Sequence, residues 1–126
     1  MYLLLDNSKA KEIILSLYLN NKWVQHIYSS QEVSSLEAID KCLNDESVAL
    51  KDLKGLAVMV GVGSFTATRI SVTIANTMAY ALGIKVVAIN KVDEVDLINK
   101  IESASVGVLV SAVYSGEPNI GKKRSA

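Results

Sequence analysis

The stretch with the most chemical potential is Gly61-Val62-Gly63-Ser64, set between an apolar run and a helical pattern. Strand, Gly-x-Gly, then helix is the context of a dinucleotide fingerprint, because backbone N–H groups at a helix start can receive an anion. The third glycine position, however, holds Thr66, and the next apolar run ends at Ile89-Asn90, where a ribose-binding acid is expected; Asp93 is the nearest carboxylate. No Gly-Lys-Ser/Thr triplet closes the turn, which excludes a P-loop. A tight turn capped by Ser64 or Thr66 accounts for the same residues. Serine nucleophile chemistry would require Ser64 to recruit His26, and no carboxylate is recognisably placed to orient that ring. Asp45/Glu46 and Asp93/Glu94/Asp96 lie in or beside helical patterns with lysines nearby, so they read as solvated faces and not as an acid–base dyad. Cys42 and His26, the single cysteine and single histidine, form none of the usual zinc spacings. Lys122-Lys123-Arg124 reads as a solvated basic tail.

Composition narrows the class further. A chain of 126 residues suits one domain, and its formal net charge of zero gives no global attraction to nucleic acid or anionic lipid. Half of the residues are hydrophobic, yet no apolar run approaches the ~18–20 residues that span a bilayer. The start, MYLLLDN, reaches an aspartate at once, which argues against a cleaved signal. One cysteine cannot make an internal disulfide, so the expectation is a reducing, cytoplasmic setting.

The elements that would hold these residues follow from periodicity. Tyr2–Asp6 reads as a central strand. Ile13–Leu19 and Trp23–Tyr28 read as a hairpin around Asn20-Asn21-Lys22, since asparagine tolerates the left-handed conformation. Ser34 and Ser35 can cap a helix with Leu36, Ile39 and Leu43 at helical spacing, fading at Asn44-Asp45-Glu46. Leu56–Val60 reads as a second buried strand. A long helix then runs from the Gly61–Gly63 turn to Gly83, a residue suited to the position beyond a helix C-terminus. Val86–Ile89 reads as a third core strand, Val92–Ile101 as an amphipathic helix, and Val106–Val110 as one further strand. The order is βββαβαβα with that extra strand, a mixed sheet with helices on its faces. Ribonuclease-H-like domains, including the lobes of the actin and hexokinase superfamily, use this order. In those folds an aspartate ending the first strand faces metal or phosphate. Here Asp6 is followed by Asn7-Ser8-Lys9 without glycine, and a turn-capping role competes with a nucleotide-facing one.

The long helix is unusual because Arg69 is the only charged residue between Ser64 and Ile84. Surface helices normally keep a charged face. Ile70, Ile74 and Met78 make one apolar line, and Val72, Ala75, Ala79 and Leu82 another. Ser71, Ala75 and Ala79 form an i, i+4 row of small side chains along which a second helix could come close. One face can cover the sheet. The other is expected to meet a protein partner, with burial under neighbouring helices as the alternative.

VGVGSFTATRISV resembles the Gly-x-Gly-Pro-Gly-Ser-Phe-Thr-Gly-x-Arg-Ile-Gly signature of the bacterial TsaB (YeaZ) family. Gly61, Gly63, Ser64, Phe65, Thr66, Arg69 and Ile70 match in register. YLLLDNS, ALKDLKGLAV and ALGIKVVAIN are similar to that family's opening, lead-in and continuation, in order over about the first hundred residues. The family's proline is Val62, two of its glycines are Ala67 and Ser71, its strand-one threonine is Asn7, and a histidine before the first helix is Gln31. The resemblance implies residues 1–104 as an N-terminal lobe and 105–126 as a vestigial start of a second lobe with a basic tail, in a shortened form. It also implies an actin-like fold, no catalysis and no cofactor. The expected role is pairing through N-lobe helices with a TsaD-like enzyme of tRNA threonylcarbamoyladenosine modification. A TsaE-like ATPase joins such assemblies, and tRNA is met only indirectly. The pairing surface carried over is Leu36, Ile39, Leu43, Ile70, Ser71, Ile74, Ala75, Met78 and Ala79. Self-association through the same helices and a small nucleotide-binding module are the alternatives.

Overall fold

The computed structural model describes residues 1–90 and 94–111. Five strands form one sheet: β1 (Tyr2–Asp6), β2 (Glu12–Leu19), β3 (Lys22–Ser29), β4 (Gly55–Met59) and β5 (Lys85–Ile89), in the order β3-β2-β1-β4-β5. β2 runs antiparallel to both β1 and β3, whereas β1, β4 and β5 are mutually parallel neighbours. Helix α1 (Ser35–Asp45) follows β3, α2 (Phe65–Leu82) links β4 to β5, and α3 (Glu94–Ser103) follows β5. The architecture is the α/β, ribonuclease-H-like order expected from the sequence.

The turn chemistry explains the hairpin. Asn20 and Asn21 have φ of 54° and 65°, and Leu19 pairs with Lys22 across them. Two consecutive positive φ values define the turn whose twist matches the flanking strands. The apolar run of β1 then divides between two cores, as expected of a strand covered on both faces. Leu3 and Leu5 join α1 and α2 in the larger core with Leu15, Leu17, Leu56 and Val58, while Tyr2 and Leu4 join α3 through Leu97 and Ile101. Gly55 lets α3 approach the sheet, because a Cβ there would overlap the Ile101 side chain and stand 3.1 Å from the Tyr2 ring. Tyr2 also donates its hydroxyl to Glu102, and Lys85 Nζ donates to Glu102 O at 2.6 Å. A cation at the last carbonyls of a helix opposes the negative end of its dipole.

The extra strand does not form. Val106 and Gly107 make a turn, and Val108–Val110 have no sheet partner among the described residues. Instead, the backbone N–H of Val110 donates to Asn76 Oδ1 (2.9 Å) and the Asn76 amide donates to Val110 O (2.8 Å). A side-chain amide on α2 thus supplies the pairing that a strand would have taken from the sheet. Val92, Asp93 and the Lys122-Lys123-Arg124 run lie outside the described residues.

Candidate partner-docking face

Both larger helices begin at serine caps beside the same opening. Ser34 Oγ accepts from Glu37 N–H at 3.2 Å while Glu37 Oε1 accepts from Ser34 N–H at 2.9 Å, a reciprocal capping box. The Ser34 hydrogen bonds, backbone first, hold the Glu37 carboxyl below its ordinary pKa of 4.5. Ser64 Oγ accepts from Ala67 N–H at 3.0 Å and starts α2. Gly63 precedes it at φ +84°, pressed onto the Ser8 backbone. A cavity of about 580 Å³ opens between these helix starts and the β1–β2 loop, walled by Asn7, Lys9, Lys11, Ser35, Ala67 and Ile70 among others. Asp6 is not in that wall; its Oδ1 accepts from Ser8 N–H at 2.8 Å and closes the turn after β1.

The two sides of α2 differ sharply. Toward the sheet lie Thr68, Ser71, Val72, Ala75, Met78 and Ala79, all buried. The two hydroxyls survive burial because each bonds back to its own helix, Thr68 Oγ1 to Ser64 O and Ser71 Oγ to Ala67 O, both at 3.0 Å. Ser71, Ala75 and Ala79 therefore let α2 sit close to the strands, and the expected approach of a second helix along that row is corrected: the row is already covered. Ile39, Leu43 and Met78 are likewise taken by the core. Of the residues expected to pair, Leu36 (61% exposed) and Ile70 (48%) remain open, and Ile74 is half-buried.

The outward side keeps the charge-poor character seen in the sequence. It presents Phe65, Thr66, Arg69, Ile70, Thr73, Thr77 and Tyr80, the last 82% exposed. Arg69, its only charge, lies over the Phe65 ring at 4.0 Å from the centroid. That stacking spreads the guanidinium along the helix and covers part of the ring. Thr77 Oγ1 donates to Thr73 O at 2.7 Å, so one of the few hydroxyls here is committed to the backbone. What results is a strip along α2 with a single charge, and its Ala67 and Ile70 reach the cavity that Ser35, at the start of α1, also walls.

His26 and Ser64 are engaged with different partners. His26 Nε2 lies 2.7 Å from Glu46 Oε2, just beyond α1, and its ring stacks on Tyr28 at an interplanar angle of 8°. Glu46 is thus a carboxylate partner of His26 that the sequence does not reveal, and it occupies the ring's Nε2. Burial pushes the Cys42 thiol up to about 11. Among the described residues no group of three His, Cys, Asp or Glu could hold a metal ion, and no helix is long and apolar enough to cross a membrane.

Comparison with known proteins places these features. The family model described as "TsaD: tRNA N6-adenosine threonylcarbamoyltransferase" matches residues 29–115, more than half of the chain. The tRNA threonylcarbamoyladenosine biosynthesis protein TsaB of Bacillus subtilis (strain 168) is 32% identical over 72 residues, covering 57% of this chain and 31% of that protein. YeaZ from Pseudomonas aeruginosa superposes with a TM-score of 0.63 at 26% identity over 70% of this chain and 43% of its own. A second structure, of an uncharacterized Pseudomonas aeruginosa protein with similarity to peptidase YeaZ, gives 0.63 at 25% identity over 70% and 42%. The chain spans less than half the length of each of these relatives. On the family model, with the TsaB and YeaZ matches agreeing, the chain belongs to the TsaD family of threonylcarbamoyladenosine proteins, in its TsaB (YeaZ) branch.

Proposed function

We propose that this chain is a non-catalytic docking subunit that pairs with a TsaD-like enzyme in tRNA threonylcarbamoyladenosine modification. The observation that carries this reading is the outward side of α2, where an 18-residue helix shows water only one charge, Arg69, and that charge is folded onto Phe65. A strip with one charge, ending in the exposed Tyr80, suits the core of a protein interface, which is poor in charge and rich in aromatic and Arg side chains. The contact surface comprises Leu36, Ile70 and Ile74 of the set carried over from the family resemblance, together with Thr73, Thr77 and Tyr80. Ser64 is engaged in capping, Asp6 in closing a turn and His26 in pairing with Glu46, which supports a role other than catalysis. A TsaE-like ATPase joins the pair, and tRNA is contacted through the enzyme.

Mass measurement by light scattering tests the reading. Mixed with TsaD from the same organism, the chain is expected to form a species of summed mass at micromolar concentration. A chain that pairs only with itself in that mixture, or stays a monomer, contradicts it.

A further inference from the structure

Asn76 is the only amide side chain on α2, and it sits on the flank between the buried and outward sides, half-buried. Its carboxamide makes two hydrogen bonds to one residue 34 positions away, accepting from Val110 N–H at 2.9 Å and donating to Val110 O at 2.8 Å. This is the pairing a strand neighbour would provide, delivered by a side chain. Val110 is half-buried and packs against the larger core. The residues leading to it are open: Val106, Val108 and Leu109 are 57%, 63% and 49% exposed. Gly107, at φ +91°, turns the chain out of α3 toward this contact.

We propose that Asn76 is a latch for a strap formed by residues 105–111, and that the strap detaches from α2 as a unit while the sheet and helices stay folded. Local stability sets whether such a segment opens. A segment opens separately from the whole when it buries little apolar area and is tied by a few hydrogen bonds. Between Val106 and Val110 only Val110 packs inward, and each bond to the amide contributes modestly while the segment is ordered. Detachment exposes the Asn76 flank of α2 and the core beneath Val110, widening the charge-poor strip of α2. That consequence rests on the docking reading; the latch itself does not.

Amide hydrogen exchange by NMR on the whole chain tests the latch without any partner. In the wild type, the Val110 amide is expected to exchange at least ~10-fold more slowly than Leu109 and at least ~100-fold faster than Leu4 and Ala57 in the sheet. Asn76→Ala is expected to speed Val110 by ~10-fold or more with Leu4 and Ala57 unchanged, and Asn76→Asp, which keeps the acceptor and loses the donor, to fall between. Val110 exchanging together with Leu4 and Ala57 in the wild type would overturn the proposal, because the segment would then open only with the whole domain. So would an Asn76→Ala rate equal to wild type, or a loss of protection shared by Leu4 and Ala57. Failure to bind TsaD leaves these rates untouched, so the two ideas fail separately.

Discussion

Gly63 lies so close to the backbone of Ser8 that a Cβ at position 63 would stand 2.7 Å from the Ser8 Cα. The turn that starts α2 and the loop after β1 are therefore wedged together, and the positive φ adds a second reason for glycine. Gly63→Ala is expected to cost roughly 2–4 kcal/mol, combining left-handed strain with overpacking against backbone that has no rotamer to give. Urea unfolding measures this, and a midpoint like that of the wild type would show that the two loops move apart freely.

Ala75→Glu is expected to unfold the domain. The residue is 2% exposed and faces the sheet, so the carboxylate would be buried without a partner, at a cost above about 4 kcal/mol. Loss of the far-UV circular dichroism signal at 25 °C is the expected reading; a folded protein with wild-type stability would place Ala75 on an open surface.

That prediction marks where sequence reading stopped. Strand and helix order were legible because each element has its own period and its own caps: Asn20-Asn21, Ser34, Ser64 and Gly83 all act as their chemistry dictates. Which side of α2 meets the sheet was not legible. With alanines, threonines and serines all round, hydropathy does not separate the sides, and Thr68 and Ser71 look polar while bonding back to their own helix. The row of small residues suits a groove for a partner helix, yet its near neighbour is this chain's own β-sheet. Contacts across long separations, His26 with Glu46 and Asn76 with Val110, left no local pattern beyond the oddity of one amide in an apolar helix.

Acid should loosen the start of α1. Because Ser34 holds the Glu37 pKa below its unfolded value, the capping box contributes in full above pH ~4.5 and fades as pH falls through the lowered value. Melting temperature is expected to drop more steeply below pH ~4.5 in the wild type than in Glu37→Ala, which has no cap to lose. Parallel curves for the two proteins would contradict this role.

Tyr2→Phe should weaken the attachment of α3 by about 1 kcal/mol through loss of the bond to Glu102. The Glu102 carboxylate pushes the Tyr2 phenol up to about 12, so the bond stabilises the fold fully below pH ~10 and is lost as pH rises through 12. Unfolding free energy measured at pH 8 and near pH 11.5 is expected to show a difference between wild type and Tyr2→Phe that shrinks at the higher pH. A difference that stays constant would mean the bond does not form.

The docking account stands most directly on calorimetric titration of the same organism's TsaD with the wild-type chain and with Ile70→Glu, a change at a residue 48% exposed that should leave the circular dichroism spectrum intact. Micromolar or tighter binding by the wild type, weakened at least ~10-fold by the new carboxylate in the charge-poor strip, is the predicted result. Equal affinity of the two proteins, or no heat of binding from the wild type, would contradict it.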